Sequence, residues 1–220
     1  MNPENSHLEN LSEIRGIMER SSRFISLSGL AGIFAGIVAL LTAAVAFFYL
    51  HYDARYFDPN VFYSKGLYLH STKTTFSLII LGIAALILAI GGSVYFTTRK
   101  ARRNNLPVWN AAAQRMILNL FIPLFAGGMF SLVLLYHNLF FLVAPVTLIF
   151  YGLALINASK YTLREINYLG VAEVLLGLLA TFFIGYGLLF WAVGFGIMHI
   201  LYGILMYKRY EQSPRESVPS

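Results

Sequence analysis

Six long apolar runs divide the chain, at 24–50, 74–98, 116–136, 139–157, 166–185 and 188–207. Each is close to or above about 20 residues, the length that carries a helix through roughly 30 Å of hydrocarbon at about 1.5 Å per residue. One acid, Glu173, interrupts the fifth. None of the runs alternates apolar and polar residues in the manner of a membrane barrel strand. Lipid offers no partner to an unpaired backbone group, so helices, which satisfy their own, are the expected element. The pattern predicts an all-α integral membrane protein. Its core is a six-transmembrane-helix bundle in which successive spans pair into three helical hairpins.

Composition supports this reading. The chain is 58% hydrophobic and 12% charged, with mean hydropathy +0.66, whereas a soluble domain carries about a quarter charged residues. The basic residues then set an orientation. With the N-terminus and C-terminus both cytoplasmic, 13 of the 16 Lys and Arg fall on the cytoplasmic side and only Arg55, Lys65 and Lys73 outside, as the positive-inside rule requires. The predicted organisation is a cytoplasmic amphipathic segment at 1–23, a transmembrane domain at 24–207 and a cytoplasmic tail at 208–220, in the inner (cytoplasmic) membrane. The opening segment is polar and carries Glu4, Glu9, Glu13 and Glu19, unlike a cleavable signal peptide. It has capping-box spacing at Ser6 and Glu9, followed by Leu8, Leu11, Ile14 and Met18 at helical spacing, so a short helix on the membrane face or on a cytoplasmic partner is expected.

The run RKARRNN at 99–105 is first a topology signal. Its cations Arg99, Lys100, Arg102 and Arg103 are also candidates for contact with anionic head groups. No nucleic-acid-binding fold accompanies them, so the net charge of +6 does not imply that partner. Cysteine is absent, which excludes thiolate chemistry. The one sizeable outer loop, 51–73, is rich in Tyr and Phe and holds His51, His70, Asp53 and Asp58. Their spacing matches no metal-ligand pattern, and an aromatic belt at the lipid boundary is the expected role. No metal or cofactor is predicted.

Packing signals recur. Ser28, Gly32 and Gly36 stand four apart in the first span, a spacing that lets helix backbones approach closely. The third and fourth spans turn at His137 and Asn138, which sets Asn119 level with Asn157, a candidate hydrogen-bond pair across two helices. Pro123 and Pro145 lie inside these spans, each able to free a carbonyl and kink its helix. Thr162 and Glu165 have capping-box spacing, which starts the fifth helix near Leu163.

The last two spans carry the candidate chemistry. Their turn centres on Tyr186, and Glu173 and His199 each stand thirteen residues from it, so they lie at one depth. Glu173 is flanked by Gly170 and Gly177, and His199 by Gly196 and Gly203. The offsets put each trio on one helix face, which predicts that acid and imidazole meet across the hairpin with glycines giving them room. An ionisable residue inside the membrane is a functional-site hypothesis by default. A buried pair that only fixes register is the structural alternative. No nucleotide-binding, zinc-protease or serine-hydrolase motif is present, so an enzyme is the least expected class. The best reading is binding or translocation of a small solute or a proton at Glu173 and His199. So narrow a bundle would then favour a homo-oligomer. The alternative is a membrane scaffold or regulatory subunit docking a cytoplasmic partner.

Overall fold

The computed structural model describes residues 24–52 and 72–212, and within them every regular element is helical. Six helices are long and apolar enough to cross a membrane. We label them α1 (Gly29–Tyr52), α2 (Thr72–Arg103), α3 (Ala111–Tyr136), α4 (Val143–Ala158), α5 (Arg164–Phe182) and α6 (Gly187–Tyr210). Short 3-10 turns, Phe140–Leu142 and Ser159–Tyr161, bracket α4. The opening segment, most of the outer loop and the end of the tail lie outside the described residues, and with them the amphipathic helix and the loop's His and Asp side chains.

Helix ends differ from the hydropathy boundaries where local chemistry extends the helix. α2 continues to Arg103, because Lys100, Arg102 and Arg103 suit the negative end of the helix dipole. It stops in a Schellman turn. Asn105 takes φ 52°, its N–H bonds Arg102 O at 3.2 Å, and Leu106 N–H bonds Ala101 O at 2.9 Å. The α3 C-terminus repeats the device with Asn138 at φ 59°, with N–H bonds from Asn138 to Leu135 O and from Leu139 to Leu134 O. Asparagine tolerates this left-handed conformation better than most residues. At its other end α3 begins five residues before the apolar run, where Asn110 Oδ1 caps Ala113 N–H at 2.8 Å.

Three local expectations are corrected. Thr162 and Glu165 form no capping box. The Thr162 hydroxyl instead donates to Phe24 O at 2.7 Å, and the Glu165 carboxylate reaches Arg209 and Tyr210. Pro145 is the third residue of α4, in the first turn, where its missing N–H breaks no bond, so it gives no kink. Asn119 and Asn157 meet, but not amide to amide: Asn157 Nδ2 donates to the Asn119 backbone carbonyl at 3.0 Å, while Asn119 Nδ2 donates to Arg115 O at 2.8 Å, one turn back on its own helix.

The packing is tighter around glycine and alanine than around large side chains. Ala31, Ala39, Ala43, Ala46, Ala154 and Ala180 are buried, while Phe48, Phe76, Ile87 and Leu118 are exposed. Such inversion suits a bundle in lipid, where close backbone approach rather than hydrophobic exclusion holds helices together. α1 packs on α2 and α6, and α4 on α3 and α5. The third predicted hairpin is therefore not a packed pair, since α5 lies mainly against α4 and α6 mainly against α1. The result is two three-helix groups, α2/α1/α6 and α3/α4/α5.

Candidate functional site

Where the two groups meet, three helices each turn one polar side chain inward. Glu173 comes from α5, His199 from α6 and Tyr151 from α4. Glu173 is 0% exposed and His199 6%. His199 Nδ1 lies 3.4 Å from Glu173 Oε1 and 3.0 Å from the Gly194 carbonyl oxygen. His199 Nε2 and the Tyr151 hydroxyl are 2.7 Å apart.

These contacts fix the proton inventory of the neutral ring. A carbonyl only accepts, so Nδ1 carries the hydrogen and donates to Gly194 O. The Nε2 lone pair is then left to accept from the Tyr151 O–H. The carboxylate stands apart from this arrangement. Its separation from Nδ1 exceeds the usual 2.7–3.2 Å range for such bonds, and neither Glu173 oxygen has a hydrogen-bond partner although both are enclosed. Buried polar atoms are nearly always paired, so this is the least satisfied group among the described residues.

Local structure explains the placement. Between Gly187–Trp191 and His199–Tyr210, α6 passes through a π-helical segment, Ala192–Met198, whose sequence AVGFGIM holds Gly194 and Gly196. Such wide turns add a residue to the helix and recur at functional sites. Gly194 also leaves room for the acid, because a Cβ there would overlap Glu173 Oε2 and press on Leu148, so that both side chains would have to shift. On the same helix Trp191, Phe195 and His199 recur every four residues. Phe195 stacks on His199 at 5.9 Å and packs on Tyr151 at 4.9 Å, with Trp191 behind it at 5.0 Å. The imidazole thus sits in an aromatic wall, open on one side to the acid.

The glycine flanks do not face each other across the α5/α6 pair, as their matched spacing suggested. A Cβ on Gly170 would lie 2.7 Å from Gly152 O and one on Gly177 2.9 Å from Pro145 O, both on α4. One on Gly203 would lie 2.7 Å from Ile33 N, and Gly196 accommodates Leu40, both on α1. The first-span face joins the same seam, since a Cβ on Gly32 would lie 3.2 Å from Gly203 Cα and one on Gly36 2.6 Å from Gly196 O. Ser28 packs elsewhere: its hydroxyl donates to Glu211 at 3.1 Å. The glycines therefore press each ionisable helix onto the middle helix of its own group, and the acid and imidazole meet where those two packed pairs abut.

The basic run is divided by the fold. Lys100 is buried and donates to Leu27 O at 2.6 Å, with Glu211 Oε1 at 3.5 Å, while the same carboxylate caps the start of α1 through Gly29 N–H at 2.7 Å. Lys100 is thus a lock between α1, α2 and α6 and is not free for a lipid head group. Arg99, Arg102 and Arg103 remain exposed.

Sequence reasoning missed Tyr151 and Gly194. A signal for the tyrosine existed. Tyr151 and Glu173 each stand eleven residues from Thr162, the turn between α4 and α5, so the depth argument that paired Glu173 with His199 also pairs it with Tyr151. Among the described residues no three His, Cys, Asp or Glu side chains gather. Glu173 and His199 are two such groups, short of the three protein ligands a catalytic zinc takes.

No known protein family, curated protein or solved structure matches the chain. What can be said of function rests on the chemistry of its own residues.

Proposed function

We propose that this multi-pass membrane protein binds and passes a proton through Tyr151, His199 and Glu173, with translocation of a proton or small solute as its activity. The observation that carries the reading is the enclosed Glu173 carboxyl, unpartnered and 3.4 Å from an imidazole already bonded to a phenol. Isolated charge in hydrocarbon costs about 3 kcal/mol or more, and a pair of apolar residues would avoid that cost. An acceptor kept without a donor is suited to taking up a proton.

The step balances without any further reagent. A proton arrives at the Tyr151 oxygen as the hydroxyl passes its own proton to His199 Nε2. Nδ1 gives its proton to Glu173 Oε1. Tyrosine and histidine end neutral, the ring has changed tautomer, and the added proton rests on the acid. Net passage follows when Glu173 releases this proton to the far side and water admitted there takes the Nε2 hydrogen and returns one to Nδ1, which restores the first tautomer. The orientation that best fits the distribution of Lys and Arg puts both termini in the cytoplasm of an inner membrane.

The two helix groups also suit a gated site. At the end carrying the termini, polar bonds cross between them: Phe24 N–H to Tyr161 O at 2.7 Å, Thr162 to Phe24 O, and Arg209 to Glu165 at 2.8 Å. At the other end Gly187 of α6 comes near Ala144 and Pro145 of α4. Opening there would wet the site while the first end holds.

Proton flux into liposomes holding the purified protein, driven by an imposed potential, decides the matter. Glu173→Gln and His199→Gln should each abolish flux while the protein still elutes as a folded species. Unchanged flux in both would leave the scaffold reading in its place.

A further inference from the structure

At the start of α5 lies a pocket of about 430 Å³ lined by Ile156, Ser159, Lys160, Arg164, Asn167 and Tyr168, none of which belongs to the buried site. Its polar lining is rich in donors. Lys160 and Arg164 are exposed cations, and neither forms an ion pair among the described residues. Lys160 spends one ammonium hydrogen on Asn157 Oδ1 at 3.1 Å and keeps two. The Ser159 hydroxyl gives its hydrogen to Ile156 O at 2.6 Å and leaves its oxygen 3.4 Å from the Asn167 amide, so in either orientation of that amide at least one N–H is left over. The Tyr168 ring stands 61% exposed at the rim.

Among the described residues no acid lines this pocket. The nearest in sequence, Glu165, is turned to the far side of α5, where Arg209 and Tyr210 take its oxygens at 2.8 and 3.0 Å. The fold has thus paired away the carboxylate that would neutralise Lys160 and Arg164. Two free cations, an amide donor and a tyrosine then remain where α4 ends and α5 begins, the level at which a span meets the head-group layer. Arginine and lysine together supply a fork and a point charge suited to phosphate oxygens. Basic hollows between membrane helices at this depth take lipid head groups. Below the cations, Ile156 and Tyr168 offer an apolar flank.

We propose that this pocket is a binding site for a phosphate-bearing anion, held by Lys160, Arg164 and Asn167. The chemistry serves the head group of an anionic phospholipid or a free phosphate, and the two are separable by experiment. Full-length protein in detergent is titrated with phosphatidylglycerol, phosphatidylcholine or inorganic phosphate, and bound ligand is counted by native mass spectrometry. Binding of phosphatidylglycerol that inorganic phosphate does not displace identifies a lipid site. Displacement by phosphate identifies a free-anion site. With roughly a factor of five for each cation near the head group, the double variant Lys160→Gln/Arg164→Gln should weaken the bound anion about 25-fold. Asn167→Asp, a single near-isosteric change that brings an acid into the pocket, should also weaken it and serves if the double variant does not fold. Arg102→Gln/Arg103→Gln removes the same charge from the other basic stretch and should weaken the bound anion far less than the pocket variants do. The proposal fails if neither anion binds better than phosphatidylcholine, if the pocket variants bind normally, or if the Arg102/Arg103 variant loses as much as they do.

Discussion

Glu165 and Glu173 stand eight residues apart on α5, about 12 Å along its axis, and both are buried, at 8% and 0% exposure. Their surroundings are opposite. Glu165 accepts from Arg209 Nη1 at 2.8 Å and from the Tyr210 hydroxyl at 3.0 Å, at the edge of the bundle. Glu173 accepts from nothing and faces an imidazole whose hydrogen is turned to a backbone carbonyl. Burial alone therefore does not mark a working acid. Glu165 has the partners a structural carboxylate needs, whereas Glu173 has been enclosed without them, which costs stability that a purely structural role would not require.

The comparison breaks most sharply in activity. Flux in liposomes should fall at least about tenfold when Glu173 becomes Gln, since the group that holds the proton is gone. The same change at Glu165 should leave flux within about twofold of the parent, because Gln still accepts from Tyr210. Equal losses at both positions would show that α5 matters only as a packed helix.

Next in size are the effects on stability along the two glycine seams. Gly32→Leu drives a side chain into Gly203 and the His199 backbone, and overpacking of this kind costs about 1 to 3 kcal/mol. A clear fall in thermal midpoint in detergent is expected, and a wild-type midpoint would mean that this face of α1 looks to lipid. Gly194→Ala places a methyl against the Glu173 carboxyl and should lower both stability and flux. A variant that is as stable as the parent and fully active would show that the wide turn of α6 has slack the packing does not suggest.

The different legibility of these features has physical causes. The spans could be read because lipid imposes length and polarity on each of them, and the depth of Glu173 and His199 could be read because a tight turn at Gly185, with φ 100°, fixes the level of residues counted from it. Rotation about a helix axis is not set by such counting. One extra residue in the segment Ala192–Met198 turns everything after it by about 100°, so the glycine flanks of α6 face α1 and not α5. Tyr151 stands at the right depth from the turn at Thr162, but in LIFYGLALIN it resembles an interfacial or packing aromatic, and its hydroxyl's place 2.7 Å from His199 depends on helix rotation, which counting does not give. Lys100 and Glu211 join segments far apart in sequence, and no local spacing announces such a pair.

A double-variant cycle sharpens the comparison further. Glu173→Gln and His199→Gln should be non-additive in unfolding free energy, with a coupling of about 0.5 to 3 kcal/mol as expected for side chains in contact. The second change then removes a group already left alone by the first. Additive losses would separate the two side chains and sink the relay, whatever the flux results.

The smallest effect should be on the stability of the satisfied acid. Glu165→Gln retains an oxygen for Tyr210 and for Arg209, so only the ionic part of the contact is lost. Arg209 is 71% exposed on its side chain, and water screens such a pair to about 0 to 1 kcal/mol. The thermal midpoint should then move by no more than about 4 °C. Removing the acceptor entirely with Glu165→Leu should cost more, because the Tyr210 hydroxyl loses its partner while Arg209 can turn to water. If Gln were as damaging as Leu, the charge itself would be holding α5 to α6, and the screening by water inferred from the exposure of Arg209 would be wrong.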